Sequence, residues 1–310
     1  MSTRAQRYKK ARLRREDAQK PTIHQEMYAR LQGMLQAGMG RSRHDDKGAG
    51  IDQNYIYTTK TYEGYKAACK AFLAWCKTIH PEVQTLEDCR PLCGEWLQVQ
   101  LDKGLSPATI VTRRSALVKL FHLTQEERGQ LPTVPPRTRA GITRSRGPAV
   151  RDRDLSPATE ARYAAITACT GLRRAELLHL RGTDLVQDSS GRWWLHITRG
   201  TKGGKPRTAL IIGTTKEITH VVDLCHRAGA DKVCPHVPSH YDNHHYRAEY
   251  AMRAYKALAR PTDQLQGHDR YVMRKDRAGE VLDRRAMRLV SQWMGHSRES
   301  VIAQNYLYDL

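Results

Sequence analysis

The sequence is poor in phenylalanine, and no long apolar run occurs in it. Only 2 of the 310 residues are Phe, whereas Tyr reaches 14 and Trp 5, so most of the aromatic surface is amphipathic. No stretch could span a bilayer, and the basic amino terminus has no apolar core of a signal peptide. These absences predict a soluble cytoplasmic protein that has no membrane partner.

The cysteines lack the spacing of a disulfide framework or of a zinc ribbon. Their number is odd, at 7, and no CxxC pair occurs among them, which indicates reduced thiols. A cluster of His240, His244 and His245 follows Cys234 and His236, but the intervals differ from those of paired zinc ligands. We therefore expect neither a metal nor another cofactor.

Acidic side chains are outnumbered by basic ones. Lys and Arg number 52 against 32 Asp and Glu, which gives a net charge of +20. Because each phosphate that a cation neutralises releases condensed counterions, such a surplus favours a nucleic-acid partner. A merely basic soluble protein is the alternative, although the basic residues recur in patches along the whole chain.

The length allows two domains of ordinary size. Residues 1–54 are predicted to form a basic arm and a short helix with a capping box at Thr22 and Gln25, followed by a loop over 41–53. The arm is either a solubilising tail or a clamp on a DNA backbone. Residues 55–131 are predicted to form a helical domain, and 132–154, with four prolines, a basic linker. Residues 155–310 form the second domain, whose first helix is expected at Ser156-Pro157.

The helical domain has three predicted helices. An apolar stripe of Tyr and Cys residues around Phe72 marks the first, and the second contains Trp96. The third begins at Ser106-Pro107, and its buried face is predicted to hold Val111, Leu117, Leu120 and Phe121. Its other side carries Thr112, Arg113 and Arg114, which are either solvated or in contact with DNA.

The second domain contains an arginine at a predicted helix start. In Thr170-Gly171-Leu172-Arg173, Gly171 permits an unusual turn, and Arg173 then projects where backbone N–H groups also face an anion. A guanidinium is always charged and can hold two phosphate oxygens. Glu176 is expected to orient this site, and an ordinary basic surface helix is the alternative.

Two predicted strands, at 193–198 and 207–212, flank a Gly-rich turn that carries Lys202. On its own, Lys202 would be a solvated lysine at a hairpin tip. Further along the chain, His244 and Arg247 are separated by one helical turn and therefore share a face. His245 does not align with Arg247 in this way.

Six residues in this order resemble the catalytic box of the tyrosine recombinase (phage integrase) family, of the kind found in integrases of mobile elements. The strongest match is segment 290–297, which resembles the Leu-Gly-His-Ser box of that family. The six residues are Arg173, Lys202, His244, Arg247, His296 and Tyr306. The resemblance implies a nucleophile in Tyr306, a general acid in Lys202, and DNA-backbone contacts by Lys205 and Arg207.

The resemblance also implies a fold and a reaction. The fold would be mainly α with a small β-sheet (α+β), arranged as a two-domain C-shaped clamp of a SAM-like core-binding domain and a catalytic domain. The reaction would be site-specific DNA recombination through a 3′-phosphotyrosyl intermediate, without metal or ATP. Implied partners are double-stranded DNA with specific sites, a homodimer on each site, a tetramer in the synapse and accessory DNA-bending proteins, in a nucleoid-associated cytoplasmic protein.

The chain departs from the family pattern in two places. In most relatives the tyrosine lies one residue nearer to the histidine, where this chain has Asn305. Since one extra residue rotates a helical side chain by about 100°, a bulge or a loop must precede Tyr306, which we prefer to Tyr308 on spacing. The interval from Arg247 to His296 is also longer than usual, which predicts an inserted hairpin at 271–282.

Three other functions stay open, and one of them is a zinc-dependent nuclease. A type IB topoisomerase or a telomere resolvase would share the same chemistry. A DNA-binding regulator could retain the fold without catalysis.

Overall fold

The computed structural model describes residues 21–138, 141, 155–239, 241–274 and 277–308. They are mainly helical with small antiparallel sheets, as the predicted α+β class requires. The chain divides into two compact units, Met1–Arg137 and Thr138–Leu310. The predicted basic arm (1–20), most of the predicted linker (142–154) and position 276 at the predicted hairpin turn lie outside the described residues. None of the described helices is long and apolar enough to cross a membrane.

The first unit is helical throughout its described part. Its α-helices are α1 (Ile23–Gly38), α2 (Arg43–Gly48), α3 (Thr59–Ile79), α4 (Cys93–Asp102), α5 (Pro107–Leu120) and α6 (Gln125–Gln130). The predicted capping box of Thr22 and Gln25 is present, and Ser106 caps α5. The loop predicted over 41–53 is wrong in part, because Ser42 accepts a hydrogen bond from the N–H of Asp45 and starts α2 there.

One core unites the helices of this unit. Cys69, Phe72 and Cys76 of α3 are buried together with Met27 and Leu31 of α1. The helix that we placed before the domain boundary at 54 is therefore packed into the same core as the helices after it.

The buried face of α5 was predicted correctly except at one residue, Val111. Val111 is 51% exposed, whereas Ile110 is buried in the core. Ile110 lies seven residues before Leu117. Seven residues make about two helical turns, so Ile110 and Leu117 are on the same face of the helix.

The second unit combines helices with two sheets. Its elements are α7 (Pro157–Thr170), α8 (Arg174–His179), β1 (Leu185–Gln187), β2 (Trp193–Ile197), β3 (Arg207–Leu210), α9 (Thr215–Ala228), α10 (His244–Leu258), β4 (Arg270–Val272), β5 (Val281–Asp283), α11 (Arg284–Trp293) and α12 (Ser300–Asn305). The predicted β2–β3 pair is antiparallel, with β1 as a third strand beside β2 that the sequence did not reveal. The predicted inserted hairpin is present as β4 paired with β5.

Two apolar clusters hold this unit together. One contains Leu177 of α8, Leu195 of β2 and Val221 of α9. The other contains Tyr250 of α10 and Met287 of α11. Strand β3 packs against α11, so the first residue of β3 and the end of α11 come close to the start of α8.

Candidate active site

A tight turn presents Arg173. Gly171 ends α7 with φ of +61°, and a Cβ at this position would lie 2.4 Å from the Tyr250 ring, so only glycine fits. The chain then reaches Arg173 immediately before α8. The backbone N–H of Arg173 donates to Glu176 Oε2 and its Nη1 donates to Oε1, both at 2.7 Å. Arg173 therefore lies at a helix start, as predicted, with Glu176 orienting it.

Glu176 lies at the centre of three guanidinium groups. Arg207 Nε and Nη2 donate to its Oε1 and Oε2 at 3.2 and 2.7 Å, and Arg247 Nη1 lies 3.9 Å from Oε2. Burial by itself raises the pKa of Glu176, but the hydrogen bonds and charges of Arg207, the charge of Arg247 and the Arg173 N–H outweigh it and hold the pKa at about 2. The carboxylate is ionised, so this cluster carries two positive charges in excess.

The same guanidinium groups also contact the carbonyl end of α11. Their donations are Arg207 to Trp293, Arg173 to Met294 at 3.0 Å and Gly295 at 3.2 Å, and Arg247 to Met294 at 3.4 Å. Backbone carbonyl oxygens at a helix end carry partial negative charge. They fix the three side chains without neutralising them.

Arg247 is the most deeply buried of the three. It lies in the first turn of α10, is 1% exposed, and donates from Nη1 to the Gly171 carbonyl. Among the described residues its buried Nε has no hydrogen-bond partner. An unpaired buried donor on a cation is costly, and Arg247 retains a donor that the described residues do not use.

His244 is the first residue of α10 and is half-buried. Its backbone N–H donates to Asp242 Oδ1 at 3.2 Å. The amide of Asn243 donates to the Leu172 carbonyl at 2.7 Å, which ties the start of α10 to the turn before Arg173. His244 thus lies one turn from Arg247, as the spacing predicted.

His296 follows a glycine that passes closely beneath two of the arginines. Gly295 has φ of +69°, and a Cβ there would lie 2.7 Å from Arg207 Cδ and 3.1 Å from Arg173 Nη1. Burial, together with the charges of Arg247 and Arg173, lowers the pKa of His296 to about 3. Its Nε2 has no hydrogen-bond partner within the described part of the chain. At neutral pH His296 is therefore an uncharged ring with an unused nitrogen.

Tyr306 lies beside that ring. The centres of the His296 and Tyr306 rings are 5.7 Å apart. Helix α12 ends at Asn305, and the Tyr306 N–H still donates to the Ile302 carbonyl at 3.0 Å, although Tyr306 itself has φ of −128°. The chain leaves helical geometry at Tyr306, so α12 does not contain the break that we predicted before this residue. Tyr308, the alternative, is half-buried and packs against the cluster around Met287.

The two predicted lysines lie on the turn between β2 and β3. Lys202 and Lys205 are both exposed. The charge of Lys202 contributes to the lowered pKa of His296, although it is the smallest of the contributions. The hairpin tip therefore acts electrostatically on the site, while its lysines remain accessible.

Arg207, predicted as a contact to the DNA backbone, lies inside the second unit, and contact with DNA stays a prediction. Arg207 is 7% exposed and its guanidinium is bonded inside the protein to Glu176. Residues alternate between the two sides of a strand, and Arg207 shares the buried side of β3 with Ala209 while Thr208 is exposed. This alternation in a correctly predicted strand was the signal that could have identified Arg207 as an interior residue.

The predicted DNA-contacting residues of α5 belong to the first unit. Thr112 is exposed, whereas Arg113 and Arg114 are half-buried. Arg113 donates to Gln100 Oε1, and Arg114 Nη2 donates to the Arg128 carbonyl at 2.6 Å. Both arginines are thus partly engaged inside the unit, and contact with DNA stays a prediction.

Solved structures of tyrosine recombinases and integrases match this chain. The XerH site-specific recombinase bound to a palindromic difH substrate is 13% identical, with 93% of this chain and 91% of that chain covered and a TM-score of 0.46. A lambda integrase dimer bound to a COC′ core site is 15% identical over 85% and 94%, with a TM-score of 0.47. The Tn1549 transposon integrase in complex with circular intermediate DNA is 13% identical over 94% and 96%, with a TM-score of 0.43.

At the level of sequence, no family model matches the chain and no curated protein is similar to it. The likeness to the solved structures is distant, so the functional proposal depends on the geometry of the site.

Proposed function

We propose that this protein is a tyrosine-type site-specific DNA recombinase, the integrase of a mobile element. One observation carries the proposal. Arg173 and Arg247, held around the buried carboxylate of Glu176, lie next to an uncharged His296 whose ring is 5.7 Å from that of Tyr306. A phenol beside a pocket of fixed positive charge is what DNA strand transfer through tyrosine requires.

The arginines would hold the scissile phosphate. A phosphodiester carries one negative charge, and two guanidinium groups can donate to both of its non-bridging oxygens. Charge builds on these oxygens as the nucleophile attacks, and fixed cations in a water-poor site stabilise that charge. The excess of two positive charges around Glu176 supports this role. In the proposed reaction these cations stabilise the charge on the phosphate oxygens, and neither a metal ion nor ATP takes part.

Tyr306 would be the nucleophile. Its Oη attacks phosphorus, the bond from phosphorus to the 5′ oxygen breaks, and a 3′-phosphotyrosyl ester forms. His244 is the candidate base for the phenolic proton, and Lys202 is the candidate acid that protonates the leaving 5′ oxygen. His296 would hydrogen-bond a phosphate oxygen. In religation the 5′ hydroxyl of a new strand attacks the ester and releases Tyr306.

The assembly follows from the proposed reaction. We expect the first and second units to form a C-shaped clamp on double-stranded DNA, with two protomers on each recombination site and four in the synapse. DNA-bending proteins are candidate accessory partners.

Covalent capture of DNA tests the proposal. Duplexes would be selected from a randomised library by binding to the wild-type protein, and then nicked so that a short cleaved fragment diffuses away. The wild-type protein should form adducts that resist denaturant, also in excess EDTA. Tyr306→Phe should bind the same duplexes and form none, because it lacks the attacking oxygen.

Tyr308→Phe is the matched control and should retain adduct formation. Adducts in Tyr306→Phe, or tight binding without adducts in the wild type, would contradict the proposal. Relaxation of supercoiled plasmid with no need for two sites would favour a type IB topoisomerase.

A further inference from the structure

Arg207 on β3 joins two other segments of the second unit that are distant from it in sequence, the one around the start of α8 and the end of α11. Its guanidinium donates to both carboxylate oxygens of Glu176, to the Gly171 carbonyl at 3.3 Å and to the Trp293 carbonyl. Its side chain is 4% exposed. The turn before α8, the start of α8 and the end of α11 are thus held by one side chain that does not reach the surface.

We propose that Arg207 is a positioning residue. It neutralises the Glu176 carboxylate, so that the positive charges of Arg173 and Arg247 are available to the scissile phosphate. This inference rests on the proposed function, because it assigns the phosphate to those two arginines. Arg207 itself is not assigned to the phosphate, because each of its three guanidinium nitrogens already donates inside the protein.

The charges of the cluster give the first argument. A carboxylate and a phosphate compete for the same guanidinium donors, since both accept two parallel N–H bonds. Glu176 is buried and ionised, and Arg207 occupies both of its oxygens. Without Arg207, the carboxylate would be left to Arg173 and Arg247, and the excess of positive charge would fall from two to one.

The packing around Gly295 gives the second argument. The aliphatic part of Arg207 lies so close to Gly295 that a Cβ there would be 2.7 Å from Arg207 Cδ. The Trp293 carbonyl, two residues earlier, accepts from the same side chain. Arg207 therefore also sets the path of the chain that leads to His296.

Lysine cannot reproduce this set of contacts. Its ammonium is a compact point charge, whereas the planar guanidinium donates in several fixed directions at once. Arg207→Lys should keep the positive charge beside Glu176 but lose some of the hydrogen bonds to Glu176, Gly171 and Trp293. It also serves as a variant that folds if Arg207→Met does not.

The first experiment compares three variants with the wild-type protein in single-turnover adduct formation on the selected, nicked duplex. Arg207→Met should lower the rate by about ten- to a hundred-fold, which is less than the roughly hundred- to thousand-fold loss for a group that contacts the reacting atoms, because Arg207 acts through its neighbours. Arg207→Lys should fall between Arg207→Met and the wild type. Duplex affinity should change by less than about three-fold, because all three guanidinium nitrogens of Arg207 are bonded inside the protein.

The double variant Arg207→Met with Glu176→Gln is the decisive one. It removes the carboxylate together with its counter-charge, so part of the lost rate should return. A rate as low as that of Arg207→Met alone would show that Arg207 is structural and overturn the inference. Arg227→Lys, at an exposed position on α9, is the matched control and should leave the rate unchanged.

A second experiment needs no DNA. Inorganic phosphate alone should raise the thermal unfolding temperature of the wild-type protein, because it binds the folded site. This increase should be smaller in Arg207→Met and recover in the double variant. Equal increases in the wild type and Arg207→Met, or none in the wild type, would overturn the inference. Failure of the proposed function would instead appear as absent adducts with the phosphate response intact.

Discussion

The side chains of the site show how buried charge can be arranged around one carboxylate. Arg173 and Arg247 are recognisable in the sequence by their turn and their helical spacing. Arg207 was predicted as a contact to the DNA backbone. Its burial depends on Glu176 and Trp293, which are far from it in sequence. The uncharged state of His296 likewise depends on its surroundings and has no signature in the sequence.

His296 gives a prediction about stability. Its pKa is about 3 in the folded protein, below the ordinary value of 6.5, so between these pH values the unfolded chain binds a proton that the folded protein does not. The free energy of unfolding should therefore fall as the pH is lowered from 6.5 towards 3, by at most about 1.4 kcal/mol per pH unit. His296→Gln removes this contribution.

Urea unfolding of both proteins at about pH 7 and about pH 5 measures the effect. The wild type should lose more stability than His296→Gln over this interval. Equal losses in the two proteins would show that His296 titrates alike in the folded and unfolded states.

At the level of helices and strands, the two departures from the family pattern, the inserted hairpin and the segment with the extra residue before Tyr306, are in contact with each other. The inserted hairpin of β4 and β5 carries Arg277, whose Nη1 donates to the Leu307 carbonyl at 2.6 Å. Leu307 directly follows Tyr306, where α12 has ended. The inserted segment thus adds a restraint to the chain next to the proposed nucleophile, beside the hydrogen bonds that the N–H groups of Tyr306 and Leu307 donate to the Ile302 carbonyl at the end of α12.

Arg277→Ala should loosen that segment. The loss of one hydrogen bond costs about 0.5–1.5 kcal/mol, so amide exchange in residues 306–308 should become roughly two- to ten-fold faster, and the rate of adduct formation should fall. Hydrogen–deuterium exchange with mass spectrometry measures the first effect. Arg274→Ala, at an exposed position of the same hairpin, should change neither, and unchanged exchange in Arg277→Ala would show that the contact does not restrain the segment.

The protein as a polyelectrolyte has a net charge of +20, carried by two compact units. The surplus predicts that DNA binding is dominated by phosphate contacts and weakens with salt. With about 6–10 such contacts, affinity should drop by about 10³–10⁵ between about 50 and about 200 mM salt.

Lys205 allows this prediction to be tested at one position. It is exposed on the β2–β3 turn, and Lys205→Gln should lower the slope of log affinity against log salt by about one. Fluorescence anisotropy over a salt series measures the slope, with Tyr306→Phe as a control that keeps the wild-type value. An unchanged slope in Lys205→Gln would remove it from the DNA interface.

The sequence by itself determined those features of the fold and of the site that depend only on residues close together in the chain. The helix starts at Thr22, Ser106 and Ser156 follow from side chains that cap nearby N–H groups, and the β2–β3 pair follows from a Gly-rich turn between two strand-forming segments. The order of the candidate residues could also be predicted, because it is a matter of spacing.

Only the tertiary structure decided which charges meet. In the folded protein Arg207 is buried against Glu176 and Val111 is exposed. Helix α1 packs into the core of the first unit. Burial, and with it the pKa of a carboxylate or an imidazole, is set by contacts between segments more than a hundred residues apart, such as α8 and the end of α11. A local pattern of residue types does not contain that information, since the same pattern fits a solvated face and an interior one.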